Sequence, residues 1–283
     1  MPKFIYLSIA ILAFTLLFVG ISACLRMRKT DKSLNKEYKN AVYKPSQHQY
    51  IVCNRTMNYA EVGHDSLPVV LFIHGSPGSW ESFEGFFKDS LLLSKAKIIS
   101  VDRPGFGYST YGKAEPSVEI QAACILPLLE KYARTNQRII IVGHSLGGPL
   151  IARIAMDYPK QIKALVFVSA SVDPELEPHG WYRKPMKFVD FLLPGSIRSS
   201  NREIISLKSE LQRMLPLWHS ILQPCVVIQG DKDNLVSPNN VQFLQKHLVN
   251  TSLEVVMIKD MNHFIPWKAP QKIRDAIFKM IDK

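Results

Sequence analysis

The chain has 283 residues, 47% of them hydrophobic and 21% charged, enough apolar content to close one full core and too much for a disordered chain. Its formal charge of +11 would suit a nucleic-acid binder, yet much of the excess sits just after the first apolar run, where Arg26, Arg28, Lys29, Lys32, Lys36, Lys39 and Lys44 face only Asp31 and Glu37. No zinc-finger spacing or aromatic RNA-binding pattern accompanies it, so nucleic acid is excluded as the expected partner, and four scattered cysteines indicate neither a zinc site nor a dense disulfide framework.

The first predicted element is the run from Phe4 to Leu25, which carries no charge and follows Lys3. It fits either a signal sequence or a spanning helix of about 20 residues. Ile21-Ser22-Ala23-Cys24 resembles the lipobox of bacterial lipoproteins, which makes Cys24 the candidate for lipid attachment and places the rest outside the cytoplasm. The basic cluster Arg26, Arg28, Lys29 argues the other way, for an uncleaved inner-membrane anchor with its C-terminal flank inside. Both readings tether the chain to a membrane through residues 1–25, and a basic stretch beside a bilayer is attracted to anionic head groups. Residues 26–49, polar and basic with Pro45, read as a short tether, and the folded domain is expected over 50–283.

From Tyr50 onward short aliphatic runs alternate with helical patterns, the signature of an α/β fold with a largely parallel sheet. Eight runs qualify as strands: Tyr50–Cys53, Met57–Val62, Pro68–Ile73, Ala96–Val101, Arg138–Val142, Ala164–Ser169, Cys225–Gln229 and Leu253–Ile258. The first two suit an antiparallel hairpin at one edge. Ile120, Cys124 and Leu128 mark one helical face, kinked at Pro127; Leu150, Ile151 and Ile154 mark another, and Ile273, Ile277 and Met280 the last. One stretch, about 172–221, has no strand pattern but prolines, aromatics and a helical face at Ile204, Leu207, Leu211 and Leu215. An insertion between two strands at the ligand end of such a sheet reads as a helical lid. Its Trp181, Tyr182, Phe188 and Phe191 are candidates either to line a pocket or to pack the lid on the core.

The chemistry concentrates at Gly143-His144-Ser145-Leu146-Gly147, which follows the strand RIIIV and precedes a helical face. That is the strand, sharp turn and helix context of a nucleophile elbow. Glycines on both sides remove side chains that would collide with neighbouring elements, and the helix N-terminus adds positive potential beneath a developing oxyanion. With HGSPGS at His74–Ser79 and DRPGFGYS at Asp102–Ser109, the motif GHSLGG resembles the α/β-hydrolase superfamily over nearly everything from Tyr50 on.

The resemblance implies an α/β-hydrolase fold, a sheet of about eight strands flanked by helices, and an acid and a base that follow the serine in chain order. His263, after the strand LEVVMIKD and before the final helix, stands where the family keeps its base; His247 lies within a helical pattern and His219 at the lid edge. Gly230-Asp231-Lys232-Asp233 offers two carboxylates, of which the family's Gly-x-x-Asp pattern selects Asp233, leaving Asp231 as a turn residue. The oxyanion donors implied are the backbone N–H groups of Ser76 and Leu146. Asp102 and Arg103 read as structural, and His74 and His144 as loop hydrogen-bonders. Serine at the elbow argues against epoxide hydrolases and haloalkane dehalogenases, which the resemblance would give an aspartate there. The expectation is a serine hydrolase acting on a small-molecule acyl substrate, most plainly a carboxylic ester, through an acyl-enzyme and without metal or organic cofactor. Iminopeptidase-like and carbon–carbon bond hydrolysis are alternatives, as is a silent hydrolase-fold binding module at the membrane.

Overall fold

The computed structural model describes residues 27–133, 138–177 and 190–283. Its strands are β1 (Ser46–Val52), β2 (Arg55–Val62), β3 (Val69–Ile73), β4 (Lys97–Asp102), β5 (Ile139–His144), β6 (Ile162–Val168), β7 (Cys225–Gly230) and β8 (Leu253–Ile258). Between and around them lie the helices α1 (Asp31–Glu37), α2 (Ser90–Leu93), α3 (Val118–Ala133), α4 (Gly147–Asp157), α5 (Gly195–Met214), α6 (Asn240–His247), α7 (Ile265–Lys268) and α8 (Pro270–Asp282). The eight strands form one sheet in the order β1-β2-β4-β3-β5-β6-β7-β8. β2 pairs antiparallel with β1 and with β4, and all later pairings are parallel.

Each apolar run of the sequence becomes a strand, and the first two make the expected edge hairpin. Its two-residue turn, Cys53-Asn54, holds both residues at positive φ, 51° and 54°, the turn geometry that matches the twist of paired strands. The parallel strands are covered on both faces because their side chains alternate between two cores. Leu71, Ile99, Ile141, Leu165 and Phe167 face α3 and α4. Val70, Phe72, Ile98, Ile140, Val142 and Val166 face the short 3-10 helix Trp80–Lys88 and α8. Fully burying one such side chain contributes about 1.5–3 kcal/mol, so these two layers fix the strand ends that carry the site.

Two expectations need correction. In α3 the buried stripe is rotated from the predicted face: Ile120 is exposed, while Ala122, Cys124, Ile125, Leu128 and Leu129 are buried, because the helix packs against α4 as well as the sheet and buries a wider arc. The stretch 26–49 is also no slack tether from Met27 on. Thr30 caps α1, Leu34 and Tyr38 pack into the second core, and the Lys29 ammonium bridges Glu37 and Glu84 at 2.6 Å each. Two apolar side chains four residues apart were enough to dock this segment, a signal too sparse to stand out among its lysines.

The insertion between β6 and β7 contains α5, whose Leu207 and Leu211, with Ile204, pack on Leu146 next to the elbow serine. Met214 rather than Leu215 completes the buried face. The anchor and lipid-attachment readings for residues 1–25 and Cys24 lie outside the described residues, as do Trp181, Tyr182 and Phe188. Among the described residues no helix is long and apolar enough to cross a membrane.

Candidate active site

The site begins where β5 turns into α4. Ser145 holds a left-handed backbone, φ 55°, a conformation that costs a residue with a Cβ about 1–2 kcal/mol and persists only when its surroundings hold it. They do: its N–H donates to the Val168 carbonyl at 2.9 Å and its carbonyl accepts from Gly148 at 2.9 Å. The flanking glycines are required by close approach. A Cβ on Gly143 would lie 2.5 Å from the Gly147 carbonyl oxygen, and one on Gly147 would lie 2.4 Å from that of Ile73. The corner therefore presents the Ser145 side chain above the N-terminus of α4, which has no side-chain cap.

Opposite it, the chain after β7 carries Asp233 and the chain after β8 carries His263. His263 Nδ1 lies 2.8 Å from Asp233 Oδ2. The other carboxylate oxygen of Asp233 accepts from the Leu235 and Val236 N–H groups, both at 2.9 Å, and Gln229 Nε2 donates to Oδ2 at 3.3 Å. Burial alone would raise this carboxyl; the bonds from His263 and the two N–H groups outweigh it and hold it below the usual carboxylate value. Asp231 is exposed. With Nδ1 committed to the carboxylate, Nε2 is the nitrogen His263 has left for another partner. Its carbonyl accepts from His144 Nε2 at 3.1 Å, and burial pushes the His144 imidazole down to about 3, so that ring stays neutral.

Ser145, His263, Ser76 and Leu146 line one cavity of about 560 Å³. Neither the Ser76 nor the Leu146 N–H finds an acceptor among the described residues. Leu146, Ile204, Leu207, Leu235, Val236, Phe264 and Trp267 supply a largely apolar wall. Phe191, a candidate to line a pocket or to pack the lid on the core, does neither: it sits in the 3-10 turn Asp190–Leu192, 68% exposed and outside the lining. His247 stacks on Phe243 and His219 offers its carbonyl to Asn250, both away from the lining. No cluster of three or more His, Cys, Asp or Glu suited to a metal ion occurs among the described residues.

The DRPGFGYS loop buttresses this site without entering it. Asp102 accepts from the Trp80 and Tyr108 N–H groups and from Asn58, at 2.7–2.9 Å, and burial pushes its carboxyl up to about 7. The Arg103 guanidinium, fully buried, donates to the carbonyls of His74 and Gly75, to Gln121 and to both oxygens of Glu203. Glu203 also accepts from Ser76 Oγ at 3.0 Å and Gln121 Nε2 at 2.9 Å. One buried ion pair thus ties α5 to the loop that carries the Ser76 N–H. Sequence reasoning missed Glu203, which sits in the polar stretch NREIIS and reads as a solvated helix position. It also missed Glu177, whose carboxyl lines the cavity against Ser171 and is raised by burial, and Met27, which lines the same cavity from before α1.

Comparisons place this architecture among known proteins. Residues 68–200 match the family model described as the α/β hydrolase fold. Lipase 1 of Psychrobacter immobilis is 25% identical over 242 residues, 73% of this chain and 74% of the lipase. The 2-(acetamidomethylene)succinate hydrolase of Mesorhizobium japonicum is 21% identical over 263 residues, 80% of this chain and 92% of that enzyme. Among solved structures, a membrane phospholipase A described as a bacterial virulence factor superposes with a TM-score of 0.65 at 20% identity, covering 100% of this chain and 98% of that one. At that identity the likeness concerns the fold.

Proposed function

We propose that this chain, which belongs to the α/β-hydrolase superfamily, is a serine hydrolase that cleaves carboxylic esters with apolar acyl groups through an acyl-enzyme. One observation carries the reading: a strained serine at a strand-to-helix corner shares a cavity with a histidine whose far nitrogen is bonded to a buried carboxylate. A serine hydroxyl is a poor nucleophile until a base takes its proton, and the base must be held in one tautomer.

In this mechanism His263 Nε2 accepts the Ser145 hydroxyl proton as Oγ bonds to the ester carbonyl carbon. Asp233 holds Nδ1 protonated and stabilises the imidazolium that forms. The negative charge that develops on the carbonyl oxygen is met by the Ser76 and Leu146 N–H groups and by the N-terminus of α4. The carbon–oxygen bond to the alcohol then breaks, the alcohol leaving with the proton from His263. Water repeats the sequence on the acyl-enzyme, giving up its proton to His263 and freeing the acid and Ser145. The apolar cavity wall supports a hydrocarbon-rich acyl group, in keeping with the name of the similar Lipase 1. The uncharged run Phe4–Leu25 and the basic residues behind it support a membrane-tethered enzyme, with Cys24 as a lipid-attachment candidate.

A fluorophosphonate probe and a chain-length series of nitrophenyl esters, run beside aminoacyl and peptide substrates, test the reading. The expected result is labelling that disappears in Ser145→Ala and hydrolysis that favours esters. Labelling unchanged in that variant would end the serine-hydrolase reading; preference for aminoacyl substrates would move it to an iminopeptidase.

A further inference from the structure

The cavity that holds Ser145 has an unusual wall member. Met27 lines it, and the residues after Met27 are bound firmly to the body. The Arg28 guanidinium donates to the Gly107 carbonyl and lies over the rings of Tyr108 and Tyr111, 4.9 and 4.3 Å from their centroids. The Lys29 N–H donates to Glu81 at 2.6 Å. In the sequence, the 22-residue uncharged run Phe4–Leu25 ends two residues before Met27.

The rim of the opening agrees. Leu235, Phe264 and Trp267 line the cavity and are also exposed, at 68%, 46% and 52%. Trp267 is braced edge-on against His144, with centroids 5.5 Å apart, and packs on Phe264. Apolar and aromatic side chains turned outward together are costly in water and settle at the boundary between head groups and acyl chains. Lys268, exposed beside Trp267, supplies positive charge that anionic head groups attract.

We propose that the mouth of this cavity lies against a lipid bilayer and that membrane lipids, whose ester-linked acyl chains pass over Met27 and the Leu235, Phe264 and Trp267 rim, are the substrates. The proposal rests on the ester-hydrolase reading above. A bilayer is favoured over a protein partner because the sequence immediately before Met27 is a 22-residue uncharged run long enough to enter lipid, and because the exposed rim is aromatic and aliphatic with Lys268 beside it.

The test uses the full chain reconstituted in vesicles of phosphatidylglycerol and phosphatidylcholine with brominated acyl chains, which quench nearby tryptophan emission. Of the four tryptophans, Trp80 and Trp218 are buried in the core and Trp267 is exposed. The expected result is quenching of which a large part is lost in Trp267→Phe, with fatty acid released from the vesicle lipid by the wild type. Ser145→Ala should keep the quenching and release no fatty acid. Equal quenching in wild type and Trp267→Phe would overturn the proposal. So would vesicle lipid left intact by enzyme that still cleaves a dispersed short-chain nitrophenyl ester. Failure on that soluble ester as well would strike the hydrolase reading and, with it, this one.

Discussion

The floor and the roof of the cavity are held by different forces. The floor is the end of the parallel sheet: Ser145, Asp233 and His263 follow β5, β7 and β8, and β5 and β7 are buried along their whole length. The roof is α5, which meets the body through Ile204, Leu207 and Leu211 around Leu146, through Met214 in the first core, and through a set of polar contacts. Glu203 pairs with Arg103, Glu210 accepts from the Val118 N–H at 3.0 Å, and Ser199 donates to the Gly105 carbonyl at 3.1 Å. Apolar layers lose stability in small steps when a methylene is removed. A buried ion pair is close to neutral as a unit but costly to break from one side. The floor should therefore tolerate change in its support and fail when its chemistry is touched, and the roof should do the reverse.

The largest expected effect is at the floor. Ser145→Ala should lower ester kcat by about 10⁶-fold, as removal of an elbow nucleophile does, while circular dichroism and melting temperature stay at wild-type values, since alanine keeps the Cβ and the same backbone strain. A loss of folding in place of activity would erase the contrast. Asp233→Asn should cost about 10⁴-fold in kcat, because the imidazole loses the acceptor that fixes its tautomer. It should also change acid stability. The Asp233 carboxyl is held below its ordinary value, so its contribution to stability is present above about pH 4 and is lost as pH falls through the folded value. Melting temperature against pH should therefore show a shallower acid limb in the variant.

At the roof the order reverses. Glu203→Leu leaves the Arg103 charge buried without its partner and should destabilise the protein by about 3–5 kcal/mol, read by urea unfolding. The double variant Arg103→Met with Glu203→Leu should recover much of that loss. If the single and double variants are equally stable, the ion pair is not what holds the roof. The smallest effect concerns selectivity: Leu207→Ala, on the cavity face of α5, should shift the optimum of a nitrophenyl ester series toward longer acyl chains, by about 1–3 kcal/mol in relative kcat/KM for each methylene newly accommodated.

The same contrast explains what could be read from the chain. Strands such as IIIVG and CVVIQ announce themselves because burial on both faces demands an unbroken apolar run, and the elbow is legible because its two glycines answer backbone approaches under 3 Å. His263 could be selected by chain order and by the strand before it. Glu203 could not, since one carboxylate in a polar helix looks the same whether it meets water or a guanidinium carried a hundred residues earlier. Nor could the docking of Met27, Arg28 and Lys29, which depends on acceptors at Gly107, Glu81 and Glu84 brought near only by the fold. Periodicity reports the faces that sheets and helices turn to a core; single polar contacts across the tertiary structure leave no period to find.

The packed segment from Met27 through α1 has a consequence for reach. If the run ending at Leu25 sits in a bilayer as proposed, only Arg26 separates it in the sequence from the docked Met27, and the enzyme would be confined to cis: it would meet substrate by lateral diffusion within its own leaflet, in two dimensions, and could not swing across to an apposed membrane. Lengthening the junction between Leu25 and Met27 by a flexible glycine-serine insert would grant that freedom and, by lowering the effective concentration of the mouth at its own surface, would exchange efficiency for range.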